Sequence, residues 1–190
     1  MLKWTKELLI YGKQTMNRLI KKDFTDYQTF FPSSRIRFQL LEKLRKSESI
    51  VSDFIYRNKY RAGAITEAQK VKTTLEFYEN IERNLYTFCL RGSGNFSGRF
   101  YETLMMGRIP ILIDTDVRLP FHKEINWNAH CIICSESNFI QKIIDFNNIH
   151  TDEELKNIQL QNRALALTKL NRQNYFITIS KIVQNKSYEL

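Results

Sequence analysis

Between residues 91 and 102 the chain reads RGSGNFSGRFYE, which sets arginine, glycine, serine and glutamate close together. Those residue types suit a phosphorylated ligand. Gly92 and Gly94 permit close backbone approach that a side chain would block. Asn95 or Ser97 is placed to cap a following helix. The start of such a helix offers free amide donors and a partial positive charge, a setting that favours phosphate. Arg91 and Arg99 add charge and bidentate hydrogen bonding. Glu102 falls about 200° around the helix from Phe100 and shares a face with Arg99. A carboxylate there can accept both hydroxyls of a ribose. The competing reading is a surface Arg99–Glu102 pair one turn apart, worth roughly 0.2–0.5 kcal/mol. The Gly92-Ser93-Gly94 run is neither G-x-G-x-x-G nor a P-loop, which needs a lysine.

The elements that would hold these residues follow from patterning. A compact apolar run over 85–90 predicts a strand that delivers the chain to Arg91. Residues 96–106 read as a helix, and Gly107 is placed to end it. Residues 109–113, bounded by Gly and Asp, predict a buried strand, and residues 130–134 another. Further helices are expected over 1–22, 35–45, 67–81 and 137–146. One more is expected over 152–183, broken near 170–174. Pro32-Ser33-Ser34 reads as a helix start. A short strand is expected over 49–55. Strands that alternate with helices imply a parallel sheet with helices on both faces. Ligands of such sheets bind at the carboxyl ends of the strands, where Arg91 lies.

Other constellations carry less chemistry. Asp114-Thr115-Asp116 is a D-x-D, which reads better as a strand-end turn than as a metal site. Cys131 and Cys134 have zinc-like spacing, but on a strand they face opposite sides, so buried thiols are expected. Cys89 sits in an apolar run with no catalytic partner. Tyr56-Arg57 and Tyr60-Arg61 could stack on nucleic-acid bases.

The 190 residues suffice for one ordinary domain. The net charge of +9 and pI near 9.5 attract anions. Nucleic acid is disfavoured as partner because that reading rests on charge alone. No apolar run reaches the length of a membrane span. Three cysteines without a signal-like start argue for reduced thiols and a cytoplasmic setting.

The string RGSGNFSGRFYETLMMGRIP, with the later Leu119-Pro120-Phe121 and Ile125-Asn126-Trp127, resembles the C-terminal signature of exostosin-like glycosyltransferases. Ser34-Arg35-x-Arg37 and Lys72-Thr73-Thr74 are also similar. The likeness covers about residues 33–180, with Asn126 where the family usually has Asp. It implies a Rossmann-like parallel sheet flanked by helices, resembling the C-terminal domain of a two-domain GT-B enzyme. Residues 34–190 would form this nucleotide-sugar-binding domain, and residues 1–33 a helical extension where the family has most of its N-terminal domain. The family's first C-domain strand and its glycine-containing loop are absent or replaced. By resemblance, Glu102 contacts the donor ribose and Arg91, Ser97 and Arg99 lie near the diphosphate, with Gly92 and Gly94 as further substrate-binding candidates. The implied partners are a nucleoside diphosphate sugar, a glycan acceptor and a separate chain bearing the acceptor domain. No resident cofactor or metal is expected, and no catalytic base is assigned. The alternative is a non-catalytic basic interaction module, or a truncated remnant that needs a partner chain.

Overall fold

The most apolar short runs of the sequence pair side by side. The computed structural model describes residues 3–25 and 27–184. In it β1 (Tyr86–Cys89), β2 (Ile109–Ile113) and β3 (Ile132–Cys134) form one parallel sheet in the order β1-β2-β3. Seven helices surround the strands among the described residues: α1 (Lys3–Lys21), α2 (Ser33–Arg45), α3 (Glu67–Arg83), α4 (Gly98–Met105), α5 (Phe139–Ile149), α6 (Asp152–Thr168) and α7 (Arg172–Gln184). The architecture is the expected Rossmann-like one. No described helix is long and apolar enough to cross a membrane.

Alternation along the strands divides the core into two layers. Phe88, Ile111 and Ile132 meet Leu40 and Leu44 of α2 and Ile143 of α5 on one face. Cys89, Leu112 and Cys131 meet Phe100 and Leu104 of α4 on the other. The helix α6 serves both layers, giving Leu155 and Ile158 to the first and Leu165 and Ala166 to the second. Thr66 with Gln69 opens α3, and Thr151 with Glu154 opens α6, each as a reciprocal capping box.

Asn162 of α6 is fully buried and binds the lower ends of two strands. Its Nδ2 donates to the Arg108 carbonyl at 3.0 Å and to the His130 carbonyl at 2.9 Å. Its Oδ1 lies 2.8 Å from His130 Nδ1. The sheet explains this placement. Asp114 N donates to Cys134 O across β2 and β3. Parallel pairing repeats every second residue, so the amide of residue 110 would reach the carbonyl of residue 130. Pro110 has no N–H, and the Asn162 side chain supplies the donor instead.

Gly107 ends α4 as expected. Its N–H donates to Leu104 O and that of Arg108 to Thr103 O, the paired bonds of a Schellman motif. Its φ is +63°, and a Cβ there would lie 3.3 Å from the Gln159 backbone oxygen. Gly107→Ala is therefore expected to cost about 1–2 kcal/mol. That corresponds to roughly 3–6 °C in a thermal melt. An unchanged melting temperature would contradict the role given to this turn.

One local expectation fails. Residues 49–55 are not a strand, because among the described residues no strand pairs with them. Asp53 is held instead by the side chains of Asn80, Arg83 and Asn84 on and just after α3. The helix α2 starts at the Pro32-Ser33-Ser34 signal, with Pro32 in the cap position and no side-chain capping bond. The Glu7 carboxylate of α1 accepts from Ser33 Oγ and Ser34 N across the helix pair.

Candidate donor site

Leu90 and Arg91 follow β1 directly, and the chain then turns through residues 92–97 into α4. Both walls of this turn are braced. Asn95 donates from Nδ2 to the Thr115 and Asp116 carbonyls and accepts from Thr115 Oγ1. It therefore ties the loop after β1 to the loop after β2 and does not cap α4. Ser97 occupies the cap position with extended backbone, but its side chain makes no capping bond. The first amides of α4 thus have no side-chain acceptor among the described residues, although Ser97 itself is buried.

The glycines here answer to different constraints than Gly107. A Cβ at Gly92 or Gly98 would meet nothing within 4 Å, and neither has a left-handed backbone. At Gly94 a Cβ would come within 2.9 Å of the Phe96 ring, a side chain that can move. The chain's own packing leaves open space over Gly92 and Gly98.

The arginines divide into two roles. Arg91 is buried beneath the loop. Its guanidinium stacks on the Phe31 ring at 4.9 Å, and Nη2 donates to the Ser93 carbonyl at 3.1 Å. Burial lowers its pKa, and its Nε has no acceptor among the described residues. Arg99 lies half-buried on the first turn of α4, with its guanidinium 5.1 Å from the centre of the Phe77 ring of α3. No ion pair within 4 Å joins it to Glu102 among the described residues, so the surface-pair reading is not what forms. The two still feel each other: Glu102's carboxyl is raised by burial and lowered, to a smaller extent, by Arg99. No side-chain hydrogen bond holds the half-buried Glu102 among the described residues.

Arg37 of α2 completes the cluster. Its Nη2 donates to the Leu90 carbonyl at 3.0 Å and to the Arg91 carbonyl at 3.5 Å. Burial lowers its pKa first, and the nearby Arg99 charge adds to the fall. Two guanidinium groups thus stand within Coulomb range at the end of β1, and neither has a carboxylate within salt-bridge distance among the described residues. Such a pair is relieved by an anion. The signal for Arg37 was present in the sequence. It sits at i, i+3, i+4, i+7 with Leu40, Leu41 and Leu44, which is a charged residue in an apolar stripe.

The other constellations are structural. The Asp116 N–H donates to Asp114 Oδ1, and Asp116 has φ +58°, a turn at the end of β2. No group of three His, Cys, Asp or Glu suited to a metal occurs among the described residues. All three thiols are free and buried. Cys131 and Cys134 belong to opposite layers. Burial pushes Cys89 and Cys134 up to about 12 and raises Cys131 as well. In the folded protein at pH 8 the thiols should alkylate on the order of a thousandfold more slowly than in denaturant. Mass spectrometry after iodoacetamide treatment checks this, and fast native labelling of any one thiol would contradict its placement.

The sequence profile of the family described as the exostosin GT47 domain matches residues 27–146. Over 80 residues the chain is 29% identical to a probable glucuronosyltransferase of Oryza sativa subsp. japonica, covering 42% of the chain and 19% of the relative. Over 100 residues it is 27% identical to a probable β-1,4-xylosyltransferase of Arabidopsis thaliana, covering 53% and 23%. Over 52 residues it is 44% identical to an exostosin-1 homolog of Caenorhabditis elegans, covering 26% and 14%. The matched segments span less than a quarter of these relatives' length.

Proposed function

Because the chain belongs to the exostosin GT47 family, we propose that it forms the donor-binding part of a glycosyltransferase acting on a nucleoside diphosphate sugar and a glycan acceptor. The observation that carries this reading is the meeting, at the end of β1, of an uncapped helix start with arginines that lack a carboxylate partner. The relatives' named activities, glucuronosyl and xylosyl transfer, agree with it.

Transfer breaks the bond between the sugar's anomeric carbon and the diphosphate oxygen, and the leaving diphosphate gains negative charge. In this reading the amides of α4, the Ser97 hydroxyl and the Arg99 guanidinium stabilise that charge. Gly92 and Gly98 leave room for the phosphates. Gly94 and the buried Arg91, through the Ser93 carbonyl, shape the loop beneath them. Glu102 accepts the ribose hydroxyls.

Glu102 supplies the test. Its carboxyl titrates above the ordinary range because burial disfavours the charge. In the unliganded chain the ionised form therefore costs stability, a cost that appears as pH rises through its pKa. Binding has the opposite sense, since only the carboxylate accepts two hydroxyls. Affinity for a nucleoside diphosphate should fall as pH drops through the Glu102 pKa. Glu102→Gln should bind about tenfold more weakly at pH 7. The difference between the two pH profiles isolates this carboxyl from the phosphates' own titration. Folded protein that binds no nucleoside diphosphate at millimolar concentration would overturn the reading.

A further inference from the structure

The helix α1 turns two different sides away from the domain. Its inner side is fixed by Glu7, which accepts from Ser33 Oγ and Ser34 N of α2. Tyr11 adds to it, with its ring 5.4 Å from that of Phe30 and its hydroxyl 3.2 Å from Tyr27 Oη. Counted from Glu7 at about 100° per residue, Leu8, Leu19, Met16, Leu9 and Ile20 fall between about 100° and 220°. These five side chains are 44–76% exposed. Gly12 lies among them, and a Cβ there would meet nothing within 4 Å. The stripe runs about 18 Å along the helix axis. Beyond it, from about 240° to 340°, come the exposed Lys13, Lys6, Asn17, Lys21 and Gln14, interrupted by Ile10. Glu7 is the only acidic residue in the sequence of α1, and it is engaged on the inner side. No carboxylate lies within salt-bridge distance of Lys6, Lys13 or Lys21 among the described residues.

We propose that α1 is a docking helix for an anionic phospholipid surface. It lies along that surface with Leu9, Met16, Leu19 and Ile20 at the acyl boundary and Lys6, Lys13 and Lys21 at the headgroups. Charge and composition select lipid as the occupant. A helix that rests in a membrane surface joins an apolar face of this kind to a lysine-rich polar face. Protein interfaces are depleted in lysine. The lysine stems can run along the apolar stripe while their ammonium groups reach the phosphates. Each ammonium is drawn to the negative potential of an anionic leaflet. The helix is not apolar enough to cross a bilayer, so it lies in the surface. Nothing in this assignment depends on the donor site.

The test uses the full chain and vesicles of about one-third phosphatidylglycerol in phosphatidylcholine, set against phosphatidylcholine alone. Cosedimentation should show binding about tenfold tighter, or more, to the anionic vesicles. Lys6→Gln with Lys13→Gln should weaken that binding about tenfold, and Leu9→Ser with Met16→Ser about as much. Lys156→Gln with Lys169→Gln, two exposed lysines on and just after α6, should change it less than about twofold. An environment-sensitive dye on Met16→Cys should report apolar surroundings when vesicles are added. The same dye on Gln14→Cys, about 160° around the helix, should stay in water. The three natural thiols are buried and do not compete for the dye. Equal binding to both kinds of vesicle, or none to either, overturns the proposal. So does an equal loss from the α6 pair, which would mean diffuse attraction to the net charge, or an equal dye response at both positions. A dye response at position 16 that grows with protein concentration in the absence of lipid would assign the face to a second copy, and also overturns it.

Discussion

Asn162→Ala should lower the stability of this chain by about 3–4 kcal/mol, the sum of two stranded carbonyls and a small void. In a chain of this size that is roughly 10 °C of melting temperature. The substitution removes both donors that reach the Arg108 and His130 carbonyls, and it takes the partner from His130 Nδ1. Water cannot substitute easily, because the site has no exposure. Asn162→Asp is the sharper variant. It keeps the volume but aims a carboxylate at two carbonyl oxygens. Burial and those oxygens would raise its pKa in the fold above the unfolded value. Stability should then be best at low pH, where the protonated group can donate one bond, and decline as pH rises through the folded pKa. Melting curves from pH 4 to 8 measure this. A flat Asn162→Asp profile, or an alanine variant within 2 °C of the parent, would remove the clamp from the account.

Arg99→Ala should weaken nucleoside diphosphate binding about a hundredfold, the usual scale for losing a charged, bidentate phosphate contact. The fold should barely notice. The loss of stacking on Phe77 costs about 0.5–1 kcal/mol. Against that, Arg37 no longer feels a neighbouring positive charge. Titration calorimetry with a melting curve separates the two effects. Arg99→Lys should fall between, since it keeps the charge and loses the planar fork. Parental affinity in the alanine variant would relocate the phosphate site away from the start of α4.

How much of this was legible in the sequence depends on how local each cause is. The strand over 109–113, the helix before it and the terminating Gly107 all rest on contacts within a few residues, and the structure has them as expected. The parallel sheet with helices on both faces follows from that alternation. The polar details do not, because side chains choose partners by geometry across the fold. Asn95 looks like a cap, yet its amide bridges to residues twenty positions on. Pro32-Ser33-Ser34 signals the start of α2, yet nothing there shows that Glu7 reaches it from another helix. Asn162 reaches partners 32 and 54 residues away, and nothing near it in sequence announces them. Arg37 was legible as an oddity, a charge in an apolar stripe, but its target carbonyls were not.

The Glu7 bond has a mechanical meaning. It holds the first turn of α2, and one turn later Arg37 on the same helix holds the Leu90 and Arg91 carbonyls just after β1. The N-terminal helix and the loop after β1 are therefore coupled in series, like two ends of a rocker pivoting on α2. Leu9, Met16, Leu19 and Ile20 leave one side of α1 exposed and apolar. A load applied to that side would be transmitted through two short polar joints to the residues around Arg91, so the helix is a handle on the loop.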